Sequence, residues 1–380
     1  MNFSLTMPRK IWFGRGEFAR VPSWAAELGS RFLIVTGGSQ REHARKLAEA
    51  LAAAGLQAWV YDGVAGEPSP QTVHAAAAKA REHRCDAIIA LGGGSAIDAA
   101  KAAAAMATNE GSVADYLEGV GTGAQIVHAP LPFVAIPTTA GTGAEVTKNA
   151  VISDAQRGYK SSFRSDRLLA AVAVVDPVLC LGAPASVTAA SGMDALTQLI
   201  EAYLTRKAQP VTDALALDAM PAVAAALPRA FADGEDLDAR ERMSYGSLMS
   251  GICLANAGLG AVHGIAAALG AVLGAPHGLA CAVLLRPVMA INIPHAGAKA
   301  EPLCRALTGA AYADPADCAR AVDDFLAQLT QSLGIPRRLN AAQPAPQLLE
   351  QLRGAVSSSM GGNPVALAPE QVRELIAQVL

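Results

Sequence analysis

Short apolar runs punctuate the first 180 residues. Phe32 to Val35, Ala58 to Tyr61, Ala87 to Leu91, Phe133 to Ile136 and Val172 to Val175 read as strands buried on both faces. Between several of them the pattern switches to helical spacing: over 42–54, from Ser69-Pro70 to about Arg84, and again after Ser95. Ser69 reads as an N-cap and Pro70 as the first helical residue, where the missing N–H costs nothing. Strand and helix in alternation predict a mostly parallel sheet covered by helices. Such sheets bind ligands at the carboxyl ends of their strands.

After Asp176-Pro177 the strand signals fade. From Thr188 to Leu380 nearly every segment reads as helix, with breaks expected at the Pro or Gly residues 210, 221, 228, 274, 276, 294, 336 and 364. The expected organisation is an α/β domain over 1–180 and an all-helical domain over 181–380. A length of 380 residues agrees, at about 150 residues per domain. Alanine clusters at 52–54, 75–78, 102–105, 224–226 and 266–268 are helix formers, not low-complexity sequence. No internal repeat has a fixed period.

Composition narrows the classes. With 52% hydrophobic and 17% charged residues the chain can bury a core, which excludes disorder. The balance of 30 basic and 33 acidic residues, net −3, argues against nucleic acid as a partner. The six cysteines (85, 180, 253, 281, 304, 318) show no CxxC or CxxH spacing and read as reduced thiols of a cytosolic protein. Met1 to Thr6 has no basic segment leading into an apolar one, so a signal peptide is not expected and the expected location is cytoplasmic. Met243 to Leu285 carries no Lys, Arg, Asp or Glu and is long enough to span a bilayer. It is rich in Gly and Ala, however, and interrupted by Asn256, His263, Pro276 and His277. Aromatics, at 4%, are too few for interfacial belts. Buried helices at the centre of the helical domain are favoured over membrane contact.

The strongest local motif is Leu91-Gly92-Gly93-Gly94-Ser95-Ala96-Ile97-Asp98-Ala99-Ala100-Lys101, directly after a strand and opening a helix. A tight turn with a well-capped helix fits it, with Ser95 and Asp98 forming a capping box. A phosphate cradle also fits, and strand context with three glycines favours it: backbone amides approach an anion with no Cβ in the way. A second loop, Pro137-Thr138-Thr139-Ala140-Gly141-Thr142-Gly143-Ala144-Glu145-Val146-Thr147, follows another strand. It reads either as a polar connection or as a site for a ribose, phosphate or carboxamide. Two such loops in one α/β domain favour a dinucleotide. Thr36-Gly37-Gly38-Ser39-Gln40-Arg41 is not GxGxxG. Gly37 offers no carboxylate to an adenosine 2′-hydroxyl, while Ser39 and Arg41 suit a 2′-phosphate.

In the helical half, Asp194 and Gln198 are four apart and share a helix face. His263 and His277 would lie about 21 Å apart on one continuous helix. Gly274-Ala275-Pro276 breaks that helix, so the chain can fold back. Asp with two His suits Zn²⁺ or Fe²⁺. By spacing alone, two satisfied buried histidines fit these residues better than an ion site does.

Taken in order, the motifs resemble the iron-containing (group III) alcohol dehydrogenase family, related in fold to glycerol dehydrogenase and dehydroquinate synthase. The matching pieces are Gly92-Gly93-Gly94-Ser95 with Asp98 and Lys101, Pro137-Thr138-Thr139 with Gly141-Thr142-Gly143 and Glu145, and Val175-Asp176-Pro177. Further on come Gly192-Met193-Asp194-Ala195-Leu196-Thr197, His263-Gly264 and Pro276-His277-Gly278. Phe13-Gly14 and Gly362-Asn363-Pro364 are smaller matches, so the resemblance runs through the whole chain.

The resemblance implies a dehydroquinate-synthase-like architecture: an α/β dinucleotide-binding domain, an all-α domain, and an active site in the cleft between them. It implies an NAD(P)-dependent alcohol dehydrogenase or aldehyde/ketone reductase acting on a small molecule, with a divalent metal as Lewis acid, in a homodimer. Gly93, Gly94, Ser95 and Asp98 would lie along the pyrophosphate. Thr138, Thr139, Thr142, Thr147 and Lys160 would lie around the nucleotide and nicotinamide, with Gly37 and Ser39 at the adenosine end. The implied metal ligands are Asp194, His263 and His277, with Gln198 a candidate fourth; His277 is also the candidate catalytic residue.

Three departures matter. Gln198 stands where the family usually has a fourth, histidine ligand. Ala267 stands where a histidine often relays protons or touches substrate. Gly37 stands where NAD-preferring members tend to carry Asp, so NADP(H) is expected over NAD(H). The rival readings are a metal-independent reductase resembling maleylacetate reductase, a lyase resembling dehydroquinate synthase, and an inactive nucleotide-binding sensor.

Overall fold

The computed structural model describes residues 3–154, 156–339 and 346–380. Met1 and Asn2, which head the N-terminal stretch read above, lie outside them. The chain divides into two compact units. One comprises Thr6–Thr139 and Gly143–Leu181; the other comprises Gly182–Leu380 with the N-terminal residues up to Leu5 and the short segment Ala140–Thr142.

The first unit runs β1 (Lys10–Phe13), α1 (Val21–Ala25), β2 (Arg31–Gly37), α2 (Arg41–Ala53), β3 (Gln57–Val64), α3 (Pro70–Glu82), β4 (Ala87–Gly92), α4 (Gly94–Met106), β5 (Phe133–Pro137), β6 (Asn149–Asp154), β7 (Tyr159–Arg164) and β8 (Val172–Val175). Six strands form one sheet in the order β1-β8-β5-β4-β2-β3, every pairing parallel. All five expected strands are present. Ser69 caps α3 by accepting the Thr72 N–H at 3.1 Å. Two features were not legible. β1 is a half-buried edge strand. β6 and β7 form a separate antiparallel pair whose polar residues disguise a half-buried alternation.

The chain leaves β2 towards β3 and leaves β4 in the opposite direction, towards β5. The strand order therefore switches between β2 and β4, and the crevice outside Gly37 and Gly92 is where such a sheet takes a ligand. Thr36 Oγ1 ties the two ends together by donating to the Leu91 carbonyl at 2.7 Å.

The expected Ser95–Asp98 capping box does not form. Helix α4 begins two residues earlier than that box requires, with Gly93 as N-cap and no side-chain cap. Asp98 instead accepts the Val151 N–H at 3.0 Å, holding β6 to α4. Beside it lies Lys101, fully buried. Its ammonium donates to the carbonyls of Ala144 (2.8 Å), Thr147 (3.1 Å) and Asn149 (2.8 Å) and to Thr147 Oγ1 (3.0 Å). Burial pushes the Asp98 carboxyl up and the Lys101 ammonium down; each is the other's compensation, 3.6 Å apart. One charged side chain thus closes the loop between β5 and β6 by filling carbonyls that water cannot reach.

Among the described residues the regular elements of the second unit are all helices: α5 (Ala185–Leu204), α6 (Pro210–Ala232), α7 (Leu237–Ala257), α8 (Ala261–Leu273), α9 (His277–Asn292), α10 (Ala300–Thr308), α11 (Pro315–Ser332), α12 (Pro346–Gly354) and α13 (Pro369–Val379). Breaks at Pro221 and Pro228 were expected, but α6 runs through both. A mid-helix proline costs about 3 kcal/mol. Burial of Ala216, Met220, Val223 and Leu227 in the core shared with α5 and α7 outweighs it. The uncharged stretch 243–285 becomes the end of α7, all of α8 and the start of α9. α7 and α8 meet at a 99° bend. By length and composition α6 and the segment His277–His295 could each cross a membrane. Here their apolar faces pack into the protein core, as Met220 and Leu227 do on α6 and Leu284, Leu285 and Val288 on α9.

Glu145 gives the first unit a pH signature. Burial pushes its carboxyl up to about 7, with Lys101 pulling it back in part. The folded protein therefore holds a proton that the unfolded chain releases near pH 4.5. This stabilisation is fully present below that pH and is lost as pH rises through about 7. Between about pH 5 and pH 8 the wild type should lose about 2–3 kcal/mol more stability than Glu145→Gln, measured by urea unfolding. Parallel profiles for the two proteins would refute the assignment.

Candidate functional site

The nucleotide-binding candidates sort into two groups. Gly93, Gly94 and Ser95 form the cap and first turn of α4, so their backbone N–H groups and the positive end of the helix face the carboxyl edge of the sheet. Gly93 lies close against Thr139: a Cβ there would sit 3.1 Å from Thr139 Oγ1, which would have to shift slightly. The adjoining strand end is locked by the Thr138 N–H, which donates to the Gly92 carbonyl at 3.0 Å. At the end of β2, Gly37 is extended and Ser39 exposed. Arg41 Nε donates to Asp62 at 2.5 Å in an exposed ion pair. This cradle suits a dinucleotide phosphate.

The remaining candidates are engaged elsewhere. Asp98 is spent on Val151 and Lys101, and Thr147 is spent within its own loop, its hydroxyl 3.2 Å from the Ala144 carbonyl and accepting from Lys101. They hold the cradle's shape from behind rather than facing a ligand. Lys160, on β7, pairs with Glu67. Thr142 lies in the short segment grouped with the helical unit.

The metal candidates converge within the helical unit. Asp194 lies on α5 and is buried. His263 sits in the first turn of α8, and His277 is the first residue of α9. The break over 274–276 does turn the chain back, and the two imidazole rings lie 5.4 Å apart between centroids. His263 Nε2 is 3.1 Å and His277 Nε2 3.6 Å from the same Asp194 oxygen, Oδ1. Gly278 permits this approach, because a Cβ there would lie 2.2 Å from the Ala190 carbonyl on α5.

Two further residues complete the cluster. Glu201, two turns after Asp194 on α5, lies 2.6 Å from His263 Nδ1. It also accepts the Val262 N–H at 2.7 Å and the His263 N–H at 3.3 Å, capping α8 from a neighbouring helix. Its carboxylate accepts the Nδ1–H hydrogen bond, which fixes the ring with Nε2 directed at Asp194, the nitrogen that would ligate a bound metal. Cys281, one turn after His277, is fully buried with Sγ 3.8 Å from His277 Nε2. One ligand atom each from Asp194, His263, His277 and Cys281 lies within 4.8 Å of the others. Neither residue was identified from the sequence. The signal for Cys281 was HxxxC on one helix face, outside the CxxC and CxxH spacings; Glu201 carried no local signal.

Gln198 does not present an oxygen to this cluster. Its Oε1 lies 2.9 Å from the Ser250 hydroxyl, and its Nε2 is directed at Asp194 Oδ2, 3.5 Å away. An amide beside a carboxylate turns its NH₂ to it, because two oxygens would repel.

The electrostatics fit a cation. Burial alone would push the Asp194 carboxyl and the Cys281 thiol up, but the two imidazoles outweigh it and hold both down. His263 is raised well above its ordinary value: burial lowers it, and Cys281, Asp194 and Glu201 more than reverse that. Cys281 likewise raises His277, ahead of the opposing effect of burial. A buried set that draws in positive charge and offers O, N and S donors suits a divalent transition metal. His277 Nδ1 is buried without a partner.

A parallel sheet with a loop suited to a phosphate, and a helical unit with a buried Asp–His–His cluster suited to a cation, are the features of a nucleotide- and metal-dependent enzyme class. The comparisons specify it. Residues 8–177 match the family model described as iron-containing alcohol dehydrogenase, and residues 188–380 match that of the Fe-containing alcohol dehydrogenase family, C-terminal. The chain belongs to this family, and it is an oxidoreductase acting on CH–OH groups. It is 38% identical over 347 residues to 1,3-propanediol dehydrogenase of Klebsiella pneumoniae, covering 89% of this chain and 88% of that one. It is 38% identical over 295 residues to NAD-dependent methanol dehydrogenase of Bacillus methanolicus, covering 76% and 75%. A crystal structure of 1,3-propanediol oxidoreductase superposes with a TM-score of 0.92 at 32% identity, covering 100% of both chains. Family membership implies a nicotinamide cofactor and a divalent metal.

If Glu201 orients His263 towards the ion, Glu201→Gln should weaken metal affinity about 10–100-fold, measured by competition with a chelator. Unchanged affinity would reduce Glu201 to a helix cap.

Proposed function

We propose that the protein interconverts short-chain alcohols and their aldehydes or ketones, with Asp194, His263 and His277 holding a divalent metal (Fe²⁺ or Zn²⁺) and NADP(H) preferred over NAD(H). The observation that carries this is the convergence of two imidazole nitrogens on one buried carboxylate oxygen. When bound, the metal supplies Lewis acidity at the substrate oxygen and the nicotinamide gives or accepts hydride.

The chain's own residues do the positioning. Glu201 fixes the His263 tautomer and ring, and Asp194 sets a buried negative charge between the imidazoles. Gly93, Gly94 and Ser95 offer amides to the pyrophosphate. After His263, α8 carries no titratable side chain, and Ala267 stands one turn on. A proton on that side has no acceptor on α8 beyond His263. Small residues at 266–268 favour a modest substrate, in keeping with the relatives named for methanol and 1,3-propanediol.

The NADP(H) preference rests on Gly37, Ser39 and Arg41. Gly37 places no carboxylate at the end of β2. An exposed pair such as Arg41–Asp62 is worth only about 0.2–1 kcal/mol, so Arg41 is readily drawn to a 2′-phosphate. The NAD-dependent relative makes this a point for measurement. The six cysteines are all free, which supports a cytoplasmic location.

Removing the metal with a chelator should lower NADPH oxidation with short aldehydes at least about a hundredfold, equivalent to about 3 kcal/mol, and Fe²⁺ or Zn²⁺ should restore it. Full activity without metal would favour a metal-independent reductase. In the same assay Gly37→Asp should shift the NADPH-to-NADH ratio of kcat/KM about tenfold or more towards NADH, through repulsion of the 2′-phosphate. An unchanged ratio would reject the assignment of Gly37.

A further inference from the structure

We propose that Cys281 Sγ is the fourth protein donor of this centre, in the place that Gln198 does not fill, so that the chain holds its cation on an Asp–His–His–Cys set selecting Zn²⁺. The proposal rests on the metal reading above and goes beyond it in donor identity and metal choice.

Geometry carries it. Four donors with bonds of about 2.0–2.3 Å in a tetrahedral arrangement have edges of about 3.3–3.8 Å, and expansion to five-coordination gives the substrate oxygen its place on the ion. The separations here are 3.1 Å from Asp194 Oδ1 to His263 Nε2, 3.6 Å from Asp194 Oδ1 to His277 Nε2, and 3.8 Å from His277 Nε2 to Cys281 Sγ. All four atoms fall within 4.8 Å of one another, so small movements close them on one ion. Cys281 reaches this place because it follows His277 by one helical turn, on the same face. The sulfur is fully buried and has no route to a disulfide partner within the cluster.

Gln198 supplies the second argument. It occupies the right helix face, yet its oxygen is turned to Ser250 and its NH₂ towards Asp194. An NH₂ group has no lone pair to give a metal. A neutral amide oxygen, even if turned inward, would compete poorly with a thiolate. Sulfur in a tetrahedral N/O/S set shifts selectivity towards Zn²⁺ and away from harder ions.

The test uses the full-length protein, stripped of metal and reloaded with Co²⁺ or Zn²⁺. The Co²⁺ form should show a near-ultraviolet thiolate-to-cobalt charge-transfer band, absent in Cys281→Ser and retained in Gln198→Ala. X-ray absorption of the Zn²⁺ form should show one sulfur neighbour at about 2.3 Å. This measurement needs no variant, so misfolding of Cys281→Ser cannot obscure the answer. Zn²⁺ affinity should fall in Cys281→Ser by at least the 100-fold that marks the upper end for an outer-shell partner. One bound Co²⁺ with no charge-transfer band, or Zn²⁺ with only N and O neighbours, would overturn the role of Cys281 and leave the metal site standing. Failure to bind either ion stoichiometrically would overturn both.

Discussion

The imidazole of His263 lies between two buried carboxylates, Asp194 and Glu201, both from one face of α5. That arrangement organises the helical unit. Glu201 satisfies backbone N–H groups at the start of α8 that no residue of α8 itself can satisfy. The same carboxylate fixes the ring, and the ring fixes where Asp194 has its counterpart. Buried charges are tolerated only when each has such partners. The cluster is therefore both the polar heart of an apolar core and a site with surplus negative charge. A core of this kind has one good use for a cation.

The α/β unit solves an equivalent problem with the opposite sign. Its glycine loops must stay open to a phosphate, so they carry few side chains with which to hold themselves. Lys101 does the holding from inside, by filling the carbonyls of Ala144, Thr147 and Asn149. Asp98, 3.6 Å away, balances that ammonium where both are buried. The residues that make the cradle and the residues that support it are thus different sets, interleaved in one motif. Asp98 and Thr147, which the sequence motif offers as ligand contacts, also hold the loop to α4 and β6.

The departures from the family pattern fall around the metal cluster and at the adenosine end. The amide at position 198, where the family resemblance implies a histidine, is drawn into hydrogen bonds with Ser250 and Asp194. Position 267 is small and uncharged. Position 37 is stripped of a side chain, and a Cβ there would already press on the Val64 carbonyl at 3.0 Å. Of the three, only Gln198 touches the hydrogen-bonded frame around His263, through Asp194.

The sequence by itself determined the alternating α/β half, the helical half and the positions of five of the six strands of the parallel sheet. It also determined the cap at Ser69 and the break that starts α9 at His277. These follow from local causes: apolar runs, N-caps, and glycine or proline at turns. Tertiary structure decided the rest. Pro221 and Pro228 stay helical because burial of α6 outweighs their local cost. β6 and β7 form although their residues look like loop. Glu201 and Cys281 join the cluster only because α5, α8 and α9 pack at close range. Which buried polar groups meet is set by helices that touch far apart in the chain, and no residue's neighbours in sequence record that.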